Sequence, residues 1–241
     1  MNYEDVFKLG KDIKGSYVEL GFGSGHSARL MAELVKTEKI TNRPIWVFDS
    51  FKGLPKPSDK DLSFDSSLKA GKFSKPIQPA LDLRFDIPKT TYKVIKGYIE
   101  ETLDQFTDQF ISILNVDLST YTSTKVALET LHKYVPRNGV VLVPAYGING
   151  GVQIAVDEFL AANNLTHQNK GTGYFINTPP KLEIKPKATR DETFIEKVVP
   201  VREVIEPPKF KDRYKKKPIK VIEYTNEPKK GSKVIQNKVT R

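Results

Sequence analysis

Short apolar runs alternate with segments of helical period along the first two thirds of the chain, the sequence form of a parallel sheet flanked by helices. SYVEL (16–20) reads as a first strand, and HSARLMAELVKTE (26–38) as a helix with Ala28, Met31, Leu34 and Val35 on one face. IWVFD (45–49), YKVIKG (92–97), FISILNVD (110–117) and VVLVP (140–144) supply four further strands. Helices are expected near 99–107, 123–134 and 152–162, and LTHQN (165–169) with GYFIN (173–177) as a closing antiparallel pair at the sheet edge. Between the second and third strands, residues 50–91 hold Pro55, Pro57, Pro76, Pro79 and Pro88 and read as a long irregular insertion. In a compact domain such an insertion is more often functional than filler.

The pattern changes after Pro180. Residues 181–241 contain six prolines, one glycine and no helical period long enough to bury a face. The expected division is therefore an α/β domain at 1–180 and a basic, extended arm at 181–241. Short β-branched runs in the arm, such as KVIEY (220–224), suit addition to the edge of another chain's sheet. Charge follows the same boundary: of the net +10, residues 1–180 carry +1 and residues 181–241 carry +9. The densest cluster is Lys209, Lys211, Arg213, Lys215, Lys216 and Lys217, with Phe210 and Tyr214 among the charges. Such a cluster attracts an acidic protein face or a phosphate backbone, with an affinity that falls as salt rises. The expected partner is another protein or the chain's own oligomer, with nucleic acid as the second candidate.

The composition closes several chemistries. With no cysteine there is no disulfide, no thiolate zinc site and no cysteine nucleophile. No apolar run approaches the roughly 20 residues of a membrane-spanning helix, and the first 15 residues lack the apolar stretch of a signal peptide. A cytoplasmic protein is the default expectation, and a basic arm on a small body leaves a larger particle such as a virion open as its destination.

The sharpest local signal is Glu19-Leu20-Gly21-Phe22-Gly23-Ser24-Gly25, directly after a strand and before a helix. Glycines there let the backbone turn tightly and approach a ligand, and the helix that follows offers free N–H groups to an anion. Asp49 ends the second strand, the place from which a carboxylate holds a ribose diol in nucleotide-binding α/β folds. Together they imply an adenosyl ligand. The G-x-G-x-G spacing, led by Glu19 and followed by His26, fits S-adenosylmethionine better than a dinucleotide. The expected cofactor-binding set is Glu19, Gly21, Gly23, Gly25, His26, Asp49 and Ser50.

The series YVELGFGSGHSA, VFDSFKGLP, KGYIEETL, ILNVDLSTYTSTKVALETL and VVLVPAYGINGGVQIAVDEF resembles, in order and spacing, the macrocin O-methyltransferase (TylF-like) family of class I methyltransferases. The resemblance spans about residues 16–159. It implies a Rossmann-like sheet of about seven mostly parallel strands with helices on both faces. It also implies methylation of a sugar hydroxyl with S-adenosylmethionine as donor, a divalent metal holding the acceptor, and an aspartate as general base. The family's Asp-x-Asp-x-Tyr block reads Asp117-Leu118-Ser119-Thr120-Tyr121 here, and its Asp-Asp-Tyr-Gly block reads Pro144-Ala145-Tyr146-Gly147.

Aligned this way, Asp117 keeps one metal ligand, Ser119 stands where the base belongs, and both later metal aspartates are absent. Mg²⁺ is held through oxygen ligands, chiefly carboxylates, so one in place of three should leave Asp117 a vestigial ligand and Mg²⁺ an unlikely cofactor. A serine hydroxyl is too weak a base to deprotonate a sugar alcohol. No residue is assigned a catalytic role on this reading, and Asp117 is expected to bond nearby backbone N–H groups. Tyr121 and Tyr146 are plausible pocket residues. The expectation is a catalytically degenerate methyltransferase fold that can still bind S-adenosylmethionine and serves assembly through its arm, with an active S-adenosylmethionine-dependent O-methyltransferase of altered or metal-free mechanism as the alternative.

Overall fold

A computed structural model describes residues 3–40, 43–86 and 91–165, together with strand segments at 174–176 and 221–224. In chain order these hold α1 (Tyr3–Gly10), β1 (Ser16–Leu20), α2 (His26–Thr37), β2 (Ile45–Asp49), α3 (Asp59–Leu62) and α4 (Gln78–Asp82). There follow β3 (Tyr92–Lys96), α5 (Ile99–Thr102), β4 (Ile111–Val116), α6 (Tyr121–Leu131), β5 (Val140–Leu142), α7 (Gly150–Asn163), β6 (Tyr174–Ile176) and β7 (Val221–Tyr224). By contacts the chain divides into residues 1–179 with 219–241, and residues 180–218. The second part lies outside the described residues, as do the basic positions 209–217 and His167.

The sheet order is β6-β5-β4-β1-β2-β3-β7. Strands β1 to β5 run parallel, whereas β6 pairs antiparallel with β5 and β7 antiparallel with β3. The sheet is thus mostly parallel, as the resemblance implies, with five parallel strands and a short antiparallel strand at each edge. Of the expected closing pair only 174–176 and Leu165 are described. KVIEY was expected to seek another chain's sheet; its Val221–Tyr224 instead pairs with β3 of the same chain, in register Tyr92↔Tyr224 to Ile95↔Val221.

Buried parallel strands carry apolar side chains on both faces, and these alternate between two cores. Val18, Leu20, Phe48, Leu114 and Val116 pack with Ala127, Leu128 and Leu131 of α6 and Val152, Val156 and Phe159 of α7. Tyr17, Val47, Ile113 and Val140 face the other way, onto Val6 and Phe7 of α1 and the expected Ala28, Met31, Leu34 and Val35 stripe of α2. Helix α1 has no counterpart in the sequence reading, although Val6, Phe7 and Gly10 fall at helical spacing on one buried face. The helix expected at 99–107 is only one α turn followed by a 3₁₀ turn, Leu103–Gln105.

Residues 50–86 are not merely irregular. They carry α3 and α4, and Leu54 makes two backbone bonds that fold the segment back on itself: Leu54 N–H donates to Lys72 O and Gly71 N–H to Leu54 O, each at 2.9 Å. Asp61 of α3 anchors the segment to the domain. Its buried carboxylate accepts from Ser58 N–H (2.8 Å), the Ser58 hydroxyl (2.6 Å) and the Tyr121 N–H at the start of α6 (2.7 Å). Gly151 makes room for it, since a Cβ there would stand 2.0 Å from Asp61 Oδ1.

Removing this acceptor leaves three part-buried donors without their partner. Asp61→Ala is expected to lower the stability measured by urea unfolding by about 3 kcal/mol, and Gly151→Ala to weaken the same joint. An unaltered urea midpoint in Asp61→Ala would show that the segment is held elsewhere.

Candidate active site

The strand order reverses between β1 and β4, because β2 and β3 extend one way and β5 the other. In open α/β sheets ligands bind in the crevice beyond the carboxyl ends of strands at such a point. Here Leu20-Gly21 and Val116-Asp117 leave the sheet side by side: Asp117 N–H donates to Leu20 O (2.9 Å) and Gly21 N–H to Phe48 O (2.8 Å). Gly21 is at φ 88°, and a Cβ on it would stand 2.1 Å from the Asp117 carbonyl oxygen. Only glycine lets the two strand ends come this close. Gly23, at φ 52°, has nothing within 4 Å of the position a Cβ would take, so its open face is room for a ligand.

A cleft of about 330 Å³ opens above this crossing, the size of an ordinary small-molecule site. Gly21, Gly23, Asp49 and Ser50 form one side, Asp117 to Thr120 and Ser123 the other, and Tyr98 and Ile99 also line it. The 50–86 segment covers it with Gly53, Leu54, Pro55, Phe73 and Lys75. Phe73 is 56% exposed and takes φ 68°, a left-handed conformation uncommon for a bulky residue. Sequence reasoning missed the covering residues, Tyr98, Thr120 and Ser123; the proline-punctuated insertion was the available signal for the first group.

Four of the seven expected cofactor residues line the cleft: Gly21, Gly23, Asp49 and Ser50. The Asp49 carboxylate gathers N–H groups from two loops, accepting from Phe22 (2.7 Å) and Gly23 (3.4 Å) on Oδ2 and from Phe51 (2.6 Å) on Oδ1. Ser50 braces the second loop, its hydroxyl donating to Gly53 O and accepting from Lys52 N–H.

Glu19, Gly25 and His26 do not line it. Gly25 is the left-handed N-cap of α2, with the Phe22 ring against the place of its missing Cβ. His26 starts α2 and meets the Tyr3 ring edge-on at 6.1 Å. Glu19 is fully buried beneath the glycine loop, where its carboxyl is bonded by the Ser27 hydroxyl and by Asn115 Nδ2 (2.8 Å). Dehydration pushes it up to about 8, with the Asp117 and Asp49 charges adding to the effect.

Asp117 was expected to bond backbone N–H groups, but among the described residues Asp49 holds those bonds and the Asp117 carboxyl accepts none. The Asp117 side chain has ample open surface, but that surface faces the cleft. Surrounding protein still dehydrates its carboxyl, which is pushed up to about 6, chiefly by that desolvation and then by the Asp49 charge. Tyr121 and Tyr146 are not pocket residues: their hydroxyls donate to Glu158 (2.7 Å) and Asp157 (2.9 Å) on the outer face. Lys60 and Lys125 close on the same Glu158 at 2.6 and 3.3 Å, holding its carboxyl down at about 2.

A parallel α/β sheet with a glycine turn after β1 and an acid after β2, both lining a switch-point cleft, defines a class I methyltransferase fold. The sequence model of the macrocin-O-methyltransferase (TylF) family matches residues 4–171, and the chain belongs to that family. It is 25% identical over 164 residues to the demethyldecarbamoylnovobiocin O-methyltransferase of Streptomyces niveus, covering 66% of this chain and 62% of that one. It is 24% identical over 147 residues to the 8-demethyl-8-(2,3-dimethoxy-alpha-L-rhamnosyl)-tetracenomycin-C 4'-O-methyltransferase of Streptomyces olivaceus, covering 58% and 56%. The chain thus spans about three fifths of the length of these relatives. Among solved structures, the O-methyltransferase NovP superimposes with a TM-score of 0.62 at 23% identity, covering 73% of this chain and 79% of that one. The calicheamicin methyltransferase CalS11 gives 0.60 at 21% identity, with 72% and 76% covered. Among the described residues no helix is long and apolar enough to cross a membrane.

The raised Glu19 carboxyl makes stability depend on pH. Between its ordinary 4.5 and about 8 the folded state holds a proton that the unfolded state has released. The stabilisation is therefore complete below pH 4.5 and is lost as pH climbs toward 8. Urea midpoints should fall across that window, and Glu19→Gln should flatten the slope, leaving the smaller contribution of Asp117. An equally steep slope in Glu19→Gln would refute this assignment.

Proposed function

We propose that this chain binds S-adenosylmethionine in the switch-point cleft and directs methyl transfer to an acceptor hydroxyl without the metal ion that the family resemblance implies. The observation that carries the reading is the contrast between the two sides of one cleft. On the donor side, Gly21, Gly23, Asp49 and Ser50 line a covered space of suitable size. There Asp49 would hold the ribose diol, and the open face of Gly23 would admit the rest of the ligand. The bound group would supply a sulfonium-activated methyl.

On the acceptor side the donor set does not suit Mg²⁺. Asp117 is the single carboxylate of the two family blocks, beside Ser119, Pro144 and Ala145. Among the described residues no three His, Cys, Asp or Glu side chains gather as a metal-binding group. No step is therefore assigned to a metal. What remains to the chain is to bind and orient both partners and to keep water out, which by itself accelerates transfer from an activated donor. The 50–86 segment favours this reading over an inert shell, because Gly53, Leu54, Pro55, Phe73 and Lys75 line the cleft and shield part of it from water.

The charge asymmetry favours a second role, assembly or polyanion binding through the arm at 181–241. It is compatible with the first and is tested separately. Replacing Lys209, Lys211, Arg213, Lys215, Lys216 and Lys217 by Gln in the full chain should abolish salt-sensitive binding to heparin or shift the sedimentation profile. If neither changes, the arm has no such role.

Calorimetry should detect S-adenosylmethionine binding that is equal in Mg²⁺ and in chelator. Asp49→Ala should weaken it about 10- to 100-fold, the range of a lost charge-assisted hydrogen-bond pair. Tightening by Mg²⁺ together with Mg²⁺-dependent turnover would overturn the metal-free reading.

A further inference from the structure

We infer that Thr120, Ser123 and Glu100 form a proton relay that takes the acceptor proton in place of the aspartate missing at Ser119. The inference rests on the methyl-transfer reading above and deepens it. Thr120 Oγ1 donates to Ser123 Oγ at 2.9 Å, and Ser123 Oγ donates to Glu100 Oε1 at 2.6 Å. Thr120 and Ser123 are 1% and 3% exposed, and both line the cleft, so the hydroxyl end of the relay is sheltered there. Glu100, in the first turn of α5, is only partly buried, which lets a proton collected there leave to solvent.

Helix capping does not account for the arrangement. Thr120 is the N-cap of α6, a position from which a threonine oxygen normally accepts an N–H two or three residues on. No such side-chain bond is made, and the hydroxyl turns to Ser123 instead. Ser123 in turn directs its hydrogen across to a carboxylate on another helix.

The proton balance closes without a metal. The acceptor O–H donates to Thr120 Oγ1. As the new O–CH₃ bond forms and the donor's C–S bond breaks, the bonding pair stays on sulfur, which becomes a neutral thioether. The acceptor proton passes to Thr120, the Thr120 proton to Ser123 and the Ser123 proton to Glu100. Glu100 ends as a neutral acid and returns the proton to water. Because it reaches the acceptor only through the two hydroxyls, Glu100 is a positioning residue that also stores the proton.

The test uses the full chain with two probe acceptors, one that must lose a proton on transfer and one that is already ionised. One is methyl α-L-rhamnopyranoside, and the other is 4-nitrophenol at a pH where it is already ionised. Glu100→Gln and Ser123→Ala should each lower kcat on the rhamnoside by about 10²–10⁴-fold, the usual worth of general-base help. The double variant should lose no more than the worse single, since both interrupt one chain, and Glu100→Asp should recover part of the loss. Transfer to 4-nitrophenolate should stay within about threefold of the unsubstituted protein if only this base assistance is lost. Independently of turnover, the protein without cofactor should show a downfield, slowly exchanging hydroxyl proton by NMR. That signal should vanish in Ser123→Ala and move upfield in Glu100→Gln.

Equal losses on both probes, unchanged rates on the rhamnoside, absence of the hydroxyl signal, or no transfer to either probe by the cofactor-loaded protein would each overturn the relay. Calorimetry separates this from the parent reading. If the unsubstituted protein fails to bind S-adenosylmethionine, that reading falls and the relay with it; if it binds and the variants behave otherwise than stated, only the relay falls.

Discussion

Three backbone N–H groups converge on the carboxylate of Asp49, two from the glycine loop after β1 and one from the turn after β2. Each loop alone would leave its donors to water. Held on one acid they become a single platform, and the cleft floor takes its shape from that. The acid also explains the electrostatics beside it, because its charge helps to raise Asp117 across the cleft and Glu19 below. Desolvation by surrounding protein is the larger cause in both, and the platform is a negatively biased place. A ligand with cationic character suits such a place.

The two halves of the cleft obey different constraints. The donor half is built largely from backbone geometry: the left-handed Gly21, the open Gly23 and the strand ends that nearly touch. Side-chain change elsewhere leaves it standing. The other half is built from side chains after β4, Asp117 to Thr120 and Ser123, where chemistry rests on the identity of single residues. Function therefore follows the site rather than the architecture, and shared family membership leaves the acceptor open.

The five parallel strands and the stripe of α2 were legible in the sequence because β-branched runs and helical period are local signals. That Gly21, Gly23 and Asp49 would line a cleft at the strand ends was legible for the same reason, from the residue type and its place at the end of a strand. Glu19 was misread as a ligand contact: its spacing is right, but the loop turns over it and Ser27 and Asn115 satisfy its carboxyl from below. The insertion that covers the cleft was legible from its prolines, but the joint that holds it there was not. It depends on Asp61 reaching the first turn of α6, sixty residues away, and on Gly151 being small enough to admit it. Such tertiary joints leave no periodic trace. Helix α1, by contrast, carries a buried face at Val6, Phe7 and Gly10 but is only eight residues long.

The pairing of β7 with β3 joins residues more than a hundred positions apart in the chain. Closing so long a loop is entropically costly and slow compared with the local βα units. During synthesis the five parallel strands are complete long before Val221–Tyr224 leaves the ribosome. Over that interval β3 displays an unpaired row of backbone donors and acceptors, the kind of edge on which nascent chains stick to one another. The C-terminal strand thus acts as a late-arriving protector of the sheet, and the nascent protein has a window of vulnerability whose length is set by the stretch between β3 and β7.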